Sequence, residues 1–256
     1  MNKIDIVVVG IFVVDLSFNT KKLPIPGETI IGKKYFIGPG GKGSNQAIAV
    51  ARSGGSVSLI ARIGDDKFGE MGLNLHQAEG ASTEGILVAK GEMTGAASIA
   101  IDSKGMNSII VVPGASGGLT GEMIENKLSL IKNSQIMLTG FEVNHKTTEK
   151  ALLLAKKNNL KTILNPAPFI NFDNKILSLV DYLTPNEHEA YQMTGVKIDN
   201  VSSAREAGKI LCKMGVSVAI ITLGSKGAVC ISNDFKEEFH LMPPNLKGKV
   251  VDTVGA

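Results

Sequence analysis

The second half of the chain alternates short apolar runs with amphipathic stretches, and this alternation restricts the possible fold more than any other feature. The predicted strands lie at 136–139, 161–164, 181–184 and 217–223. The predicted helices between and around them lie at 120–132, 146–158 and 202–214. Strands that alternate with helices form parallel sheets whose two faces are covered. The pattern therefore predicts an α/β fold.

Polar or glycine-rich segments follow four of these predicted strands. They are residues 140–142, 165–168, 186–189 and 222–227. In open α/β sheets, ligands bind outside the carboxyl ends of the strands. We therefore expect these four segments to converge on one cleft.

The first half of the chain contains more strands and fewer helices. Residues 4–9 form a short β-branched run that predicts a buried strand. Helical periodicity covers 66–79 and also the stretch from about Ser44 to Ser53. Further strands are predicted at 11–18, 29–37, 57–61, 85–89, 95–101 and 107–112.

A glycine-rich turn precedes the helix at Ser44. Glycine permits close backbone approach, and a helix N-terminus offers free N–H groups to a polar ligand. Gly38, Gly40 and Gly43 match the dinucleotide pattern G-x-G-x-x-G, but the stretch 11–37 separates them from the first strand. A phosphate-binding Walker A loop is excluded, because Lys42 is followed by glycine. A glycine turn without any ligand stays open as an alternative.

Composition limits the classes of protein further. The chain has 256 residues, of which 43% are hydrophobic, and this length favours one large domain. A net charge of +3 without a basic block does not indicate nucleic-acid binding. The two cysteines and four histidines form no metal-binding pattern. The apolar run at 6–14 is too short to span a bilayer and has no cleavage pattern, so we expect a cytoplasmic protein.

Seven fragments in a fixed order resemble the ribokinase family of carbohydrate kinases, both ribokinases and deoxyribokinases. They are residues 10–15, 26–29, 40–47, 165–168, 184–187, 222–227 and 252–256. The resemblance implies a three-layer, doubly wound, mostly parallel α/β sheet in a single domain over 1–256. It also implies a small β-sheet lid built from about 11–36 and 95–112, through which members often form homodimers.

The resemblance implies transfer of the γ-phosphoryl group of ATP to a pentose, with ribose as the first expectation and 2-deoxyribose as the alternative. ATP, Mg²⁺ and a monovalent cation such as K⁺ would serve the reaction. The implied partners are the small-molecule sugar and the nucleotide, not nucleic acid or a membrane. The residues that match sugar contacts are Val13, Asp15, Gly41, Lys42, Asn45 and Glu142.

The residues that match the nucleotide and Mg²⁺ region are Asn186, Glu189, Thr222, Gly224 and Gly227. Many of these matched residues can also have a purely structural role. Asp15 and Lys42 can be solvated surface charges, and Glu142 can be an acid in the first turn of a helix. Asn186 can be a helix N-cap, and the two glycines can serve a turn that needs positive φ.

Val13 is a departure from the pattern. The ribokinases, whose family this chain resembles, normally carry Asn two residues before the sugar-binding aspartate. The amide of that Asn contacts the 2-hydroxyl of the sugar. Deoxyribokinases of the family are apolar there, as this chain is. Burying a hydroxyl without a hydrogen-bond partner costs about 1–3 kcal/mol of free energy. Val13 therefore suits a sugar that lacks the 2-hydroxyl. The alternative is that Val13 only packs within the lid.

The family's hallmark, Asp-Thr-x-Gly-Ala-Gly-Asp, runs past the end of the sequence. Asp252 and Val254 match a monovalent-cation site, and Gly255 and Ala256 begin the anion hole. The catalytic aspartate of the motif would lie beyond Ala256. Since general-base catalysis contributes about 10²–10⁴-fold, we expect little turnover from these 256 residues alone.

Two other functions stay open. One is a non-catalytic sugar-binding protein that keeps the sugar site. The other is an NAD-dependent dehydrogenase, which rests only on the G-x-G-x-x-G match.

Overall fold

The computed structural model describes residues 3–234 and 236–243. The strands are β1 (Ile4–Val9), β2 (Val13–Asn19), β3 (Lys34–Gly40), β4 (Val57–Ile60), β5 (Arg62–Gly64), β6 (Leu87–Ala89), β7 (Thr94–Ile101), β8 (Asn107–Gly114), β9 (Ser134–Gly140), β10 (Lys161–Asn165), β11 (Tyr182–Leu183), β12 (Val218–Thr222), β13 (Ala228–Ser232) and β14 (Glu238–Leu241). The helices are α1 (Lys42–Arg52), α2 (Lys67–Ala78), α3 (Gly121–Glu125), α4 (Leu128–Lys132), α5 (His145–Lys157), α6 (Glu187–Thr194) and α7 (Val201–Lys213).

The chain divides into two compact units. The smaller unit comprises Gly10–Thr120, and the larger comprises the chain before Gly10 and after Thr120. The larger unit is built on a sheet with the strand order β14-β13-β12-β11-β10-β9-β1. Strands β1, β9, β10, β11 and β12 pair in parallel, while β13 and β14 continue the sheet antiparallel. The predicted α/β fold with a mostly parallel sheet is confirmed.

The core of the larger unit comes from apolar side chains of the central strands and of the helices that pack on them. Leu164 of β10, Leu183 of β11 and Ile221 of β12 are fully buried, together with Leu152 of α5 and Leu211 of α7. These strands read as continuous apolar runs because their sheet lies in the interior.

A buried carboxylate joins α5 to the start of two strands. Asp181 accepts hydrogen bonds from Lys156 Nζ at 2.6 Å and from Thr162 N at 2.8 Å. Burial alone would raise the pKa of Asp181, but these hydrogen bonds outweigh it and leave that pKa lowered. The ion pair with Lys156 is therefore part of the packing of this unit.

The smaller unit contains a four-stranded sheet with the order β3-β2-β7-β8. Strands β2 and β7 are parallel, and the outer pairs are antiparallel. Phe12 and Val14 are fully buried and pack with Phe68 and Met71 of α2. The apolar stripe of α2 thus covers the start of β2.

Two sequence predictions about elements were wrong in detail. The strand predicted at 29–37 begins at Lys34, because its partner β2 ends at Asn19, the residue in register with Lys34. The helix predicted at 120–132 is divided into α3 and α4 at Lys127, whose φ of −103° and ψ of 21° are not helical. This turn lets Leu130 and Ile131 bury their side chains independently of α3.

The bounds of three further elements were not predicted. Helix α6 begins directly after Asn186, which the sequence offered only as an alternative N-cap, and strands β13 and β14 follow the predicted turn at 222–227. Within the described residues, no helix has the length and the hydropathy needed to cross a membrane.

Candidate functional site

Asp15 lies in the middle of β2, where its carboxylate rests on the backbone of the neighbouring strand. A Cβ atom built on Gly40 would lie 2.1 Å from Asp15 Oδ1, so only glycine leaves room for this carboxylate. Gly40 is the last residue of β3, and only Gly41 separates it from the start of α1 at Lys42. Asp15 is therefore held beside the glycine turn that the sequence singled out.

Helix α1 begins at Lys42, earlier than the predicted start at Ser44. Its N-cap is Gly41, which has a φ of 91° and whose Cβ would lie 2.5 Å from the Ile11 carbonyl oxygen. At this position glycine is required both by the positive φ and by the close approach of the backbone.

The first turn of α1 carries two polar side chains that no described residue binds. Lys42 is exposed, and no carboxylate in the described parts of the chain forms an ion pair with it. The side chain of Asn45 is half-buried and has no hydrogen-bond partner within the same ranges. Both side chains are therefore free to hydrogen-bond a ligand. Val13, in contrast, is buried, and its Cγ1 would lie 2.7 Å from a Cβ on Gly95.

In the larger unit, the segments that follow the strands lie beside one another along one edge of the sheet. Phe141 N donates to Ala167 O at 3.1 Å, and Asn165 Nδ2 donates to Thr184 O at 2.9 Å. Thr222 N donates to Pro185 O at 3.0 Å. The parallel register of β9 to β12 causes this arrangement, because it brings the carboxyl ends to the same edge.

Asn186 and Glu189 form a reciprocal cap at the start of α6. Asn186 Oδ1 accepts from Glu189 N at 2.8 Å, and Glu189 Oε2 accepts from Asn186 N at 2.9 Å. The N-cap interpretation of Asn186 is thus confirmed. The capping bonds fix both side chains at the end of β11, next to Thr222, which forms an isolated bridge with Asn186.

The segment from Thr222 to Gly227 is a tight turn with two glycines at positive φ. Gly224 has a φ of 54° and open space around its Cα, whereas Gly227 has a φ of 88°. A Cβ on Gly227 would lie 1.8 Å from the Leu241 carbonyl oxygen of β14. Leu223 N donates to Gly227 O at 2.7 Å and closes the turn.

Glu142 lies in the turn between β9 and α5. The N-cap of α5 is Asn144, whose side chain accepts from Thr147 N at 3.0 Å, so Glu142 precedes the helix. Glu142 therefore lies two residues before the N-cap of α5, near the helix N-terminus but outside the first helical turn.

Among the described residues, no group of three or more His, Cys, Asp or Glu side chains could hold a metal ion. The residues matched to the monovalent cation and to the anion hole lie outside the described ranges: Asp252, Val254, Gly255 and Ala256.

A known protein family matches nearly the whole chain. The family model described as "pfkB family carbohydrate kinase" matches residues 3–256. The chain belongs to this family. The carbohydrate kinase assignment confirms the resemblance on which the site residues were chosen, and the protein is an ATP-dependent sugar kinase.

Relatives of this carbohydrate kinase include enzymes named for two different pentoses. A ribokinase of Mus musculus is 35% identical over 252 residues, which are 98% of this chain and 77% of that protein. A deoxyribokinase of Salmonella typhi is 32% identical over 253 residues, which are 98% of this chain and 81% of that protein. An Arabidopsis thaliana ribokinase complexed with ribose and ATP superimposes with a TM-score of 0.89 at 27% identity, covering 97% of this chain and 80% of that one.

One polar pair in the kinase was missed by sequence reasoning, which gave the histidines no role. His76 of α2 is fully buried and lies 3.2 Å, through Nε2, from Ser44 Oγ in the first turn of α1. A signal was present in the sequence: Gly69, Gly72 and His76 recur at the three- and four-residue spacing of a buried helical stripe. A histidine on such a stripe needs a hydrogen-bond partner.

Proposed function

We propose that this carbohydrate kinase transfers the γ-phosphoryl group of ATP to the terminal hydroxyl of ribose, yielding ribose 5-phosphate and ADP. The observation that carries the proposal is the carboxylate of Asp15, which rests against Gly40 beside the turn that presents Lys42 and Asn45. A pentose displays several adjacent hydroxyls that each donate and accept hydrogen bonds. A carboxylate, an ammonium group and an amide on neighbouring backbone segments provide the complementary donors and acceptors.

In this proposal, Gly41 and Glu142 also contact the sugar. Gly41 has no side chain, so a sugar hydroxyl can approach its backbone closely. Glu142 supplies a second carboxylate from the loop after β9.

The larger unit supplies the groups for the nucleotide. Backbone N–H groups of a turn with residues at positive φ can bind phosphate oxygens. In the turn from Thr222 to Gly227, most N–H groups donate within the protein, so this role falls to the N–H groups of Gly224 and Ser225. Asn186 and Glu189 lie beside Thr222 and act on the phosphates and on Mg²⁺.

The donor set fits Mg²⁺ bound through water. Mg²⁺ keeps several waters and is held by one or two carboxylates together with substrate phosphates, so a three-carboxylate cluster is not needed. The capping bond engages Oε2 of Glu189, so this residue would provide such a carboxylate through its other oxygen, Oε1. When bound, the ion neutralises charge on the transferring phosphate.

We further propose that the four-stranded sheet of the smaller unit is the lid, that the two units form one kinase domain, and that the lid also joins two copies of the protein. Its edge strand β8 exposes four consecutive apolar side chains: Ile109 at 50%, Ile110 at 68%, Val111 at 53% and Val112 at 50%. An exposed apolar edge of this kind is covered in a stable protein by a partner. Lid closure would keep water from the phosphoryl group of ATP.

The test of the main proposal is ADP release with ATP, Mg²⁺ and ribose by the purified protein extended through the catalytic aspartate of the motif that begins at Asp252, with product identity checked by phosphorus NMR. Titration calorimetry with ribose and with an ATP analogue then separates the two ligands. Asp15→Ala and Lys42→Ala should weaken ribose binding at least tenfold and change the affinity of the analogue little. Lys90→Ala, which removes an exposed lysine of the same unit, is the matched control.

Equal loss of both ligands in a folded Asp15 or Lys42 variant would contradict this assignment. Ribose binding without any ADP release would instead support a sugar-binding role without catalysis.

The second candidate substrate is 2-deoxyribose, and Val13 is the observation that favours it. Its buried isopropyl group packs toward Gly95 and cannot hydrogen-bond a 2-hydroxyl. We expect poor discrimination between ribose and 2-deoxyribose, and a shift towards ribose of about tenfold or more in Val13→Asn, corresponding to about 1.4 kcal/mol. The measurement is kcat/KM for both sugars.

Val13→Ala is the control in that experiment, because it removes volume without adding a polar group. If Val13→Asn leaves the ratio of the two kcat/KM values unchanged, Val13 does not select at the 2-position.

A further inference from the structure

A buried serine–histidine pair lies directly behind the first turn of α1. The side chain of His76 is 0% exposed, as is that of Ser44. His76 Nδ1 lies 2.8 Å from the Gly72 carbonyl oxygen, which can only accept a hydrogen bond. Nδ1 therefore carries the proton, Nε2 accepts, and the Ser44 hydroxyl donates to it over 3.2 Å. Burial lowers the pKa of His76, which favours this neutral form.

The same imidazole also contacts the segment that leads into β2. The rings of His76 and Phe12 meet edge to face, with centroids 5.9 Å apart and an interplanar angle of 75°. Gly72 makes this contact possible, since a Cβ there would lie 2.7 Å from the Phe12 ring. His76 thus lies between Ser44 of α1 and Phe12, which immediately precedes β2.

The backbone contact between these two segments has no side chains to lock it. A Cβ on Gly43 would lie 2.6 Å from Gly10 Cα, so the two glycine backbones cross in direct contact. Beside the crossing, Ser44 N donates a hydrogen bond to Ile11 O at 3.1 Å. Two glycine backbones in contact have no side chains that interlock, so α1 could slide or rotate against the other segment. A buried, directional hydrogen bond fixes one arrangement of the two.

We propose that His76 is a positioning residue that fixes the first turn of α1 against the start of β2. Through Ser44 it orients the segment with Lys42 and Asn45, and through Phe12 it orients the strand that carries Asp15. The consequence for sugar affinity rests on the proposed function, but the effect on the first turn does not.

The first experiment measures ligand affinity in the enzyme and in three variants. His76→Leu keeps the volume and removes the acceptor, and it should weaken ribose binding at least tenfold while the Kd of an ATP analogue changes less than twofold. His76→Gln offers an amide oxygen to Ser44 and should recover most of the ribose affinity. Exposed His145 gives the matched control, His145→Leu, which should bind both ligands as the original protein does.

The second experiment needs no ligand. Amide hydrogen exchange over residues 40–50 should become at least tenfold faster in His76→Leu than in the original protein, while exchange in α7 of the larger unit stays the same. Ser44→Ala, a small change that leaves the imidazole in place, should give the same local increase and serves if His76→Leu does not fold.

The outcomes distinguish the positioning role of His76 from the proposed ribose kinase activity. Unchanged exchange over residues 40–50 in both folded variants would overturn the positioning role, as would equal weakening of ribose and nucleotide. Failure of the original protein to bind ribose would overturn the proposed function, with the exchange result still deciding the role of His76.

Discussion

At the residue scale, glycines determine the backbone path at both candidate ligand turns, for different steric reasons. Gly40 leaves room for the carboxylate of Asp15, while Gly41 combines a positive φ with contact to the Ile11 carbonyl. In the turn after β12, Gly224 needs only its positive φ, whereas Gly227 also touches β14. Glycines that look alike in the sequence therefore differ in how much stability a substitution would cost.

Gly227→Ala and Gly224→Ala test this difference. We expect Gly227→Ala to lower the free energy of unfolding by about 2–3 kcal/mol, because a Gly-only conformation and a contact with Leu241 O are both violated. Gly224→Ala should cost only about 1–2 kcal/mol, the penalty for a left-handed residue in open space. Urea denaturation measures both, and equal losses would contradict the role given to the β14 contact.

At the element scale, the reciprocal cap of α6 explains why two residues matched to nucleotide binding are also structural. Glu189 is buried, and its Oε2 accepts a capping bond from Asn186 N at 2.9 Å. A side chain held in this way is pre-organised for a second role at the same helix end.

Substitution of Asn186 separates the two roles. Asn186→Ala should lower the free energy of unfolding by about 1 kcal/mol, because the cap is lost, and should also weaken binding of an ATP analogue with Mg²⁺. Asn186→Ser keeps a capping oxygen and should retain most of the stability but not the nucleotide affinity. If Asn186→Ser binds the analogue normally, the asparagine is a cap only.

The ion pair between Lys156 of α5 and Asp181, which precedes β11, contributes to the pH dependence of the larger unit. The folded-state pKa of Asp181 lies below the ordinary value of 3.8. Its stabilising effect is therefore complete above the unfolded pKa and is lost as the pH falls through the folded one. Asp181→Asn should lower the free energy of unfolding at pH 7 by about 2 kcal/mol, the contribution of hydrogen bonds to a charged group.

Thermal unfolding from pH 7 down to pH 3 checks the sign of this effect. The gap in melting temperature between the original protein and Asp181→Asn should narrow below about pH 4, where the carboxylate begins to protonate. Asp173→Asn removes an exposed carboxylate of the same unit and should leave the pH profile unchanged. A gap that widens towards acid would contradict the assignment.

At the scale of the whole molecule, the smaller unit exposes large apolar side chains on both edge strands of its sheet. Strand β3, at the opposite edge of the sheet from β8, exposes Tyr35 at 67%, Phe36 at 57% and Ile37 at 48%. This composition is typical of a surface that a second copy covers.

Light scattering coupled to gel filtration tests the proposed dimer. We expect the protein to elute as two copies and Ile110→Glu to elute as one, because a carboxylate at the centre of an apolar contact is costly to bury. Leu153→Glu, which changes an exposed leucine of the larger unit, is the matched control and should leave the mass unchanged. A dimeric Ile110→Glu would place the interface elsewhere.

Much of the fold was determined by the sequence alone, because the signals involved are local. Continuous apolar runs and helical periodicity after residue 120 predicted the parallel sheet, and the glycine stretch predicted the turn before α1. The joint order of seven fragments identified the family. Most candidate ligand residues of both units lie in these fragments, whereas Glu142 and Glu189 lie outside them.

Only the tertiary structure decided the contacts between distant segments. The start of β3 depends on where β2 ends, and the need for glycine at position 227 depends on a strand that passes the turn later in the chain. The bond between Ser44 and His76 joins two helices across 32 positions of sequence, and neither residue carries a local motif for it. Such pairs arise only when packing excludes water from both partners, and no local pattern records which partners meet.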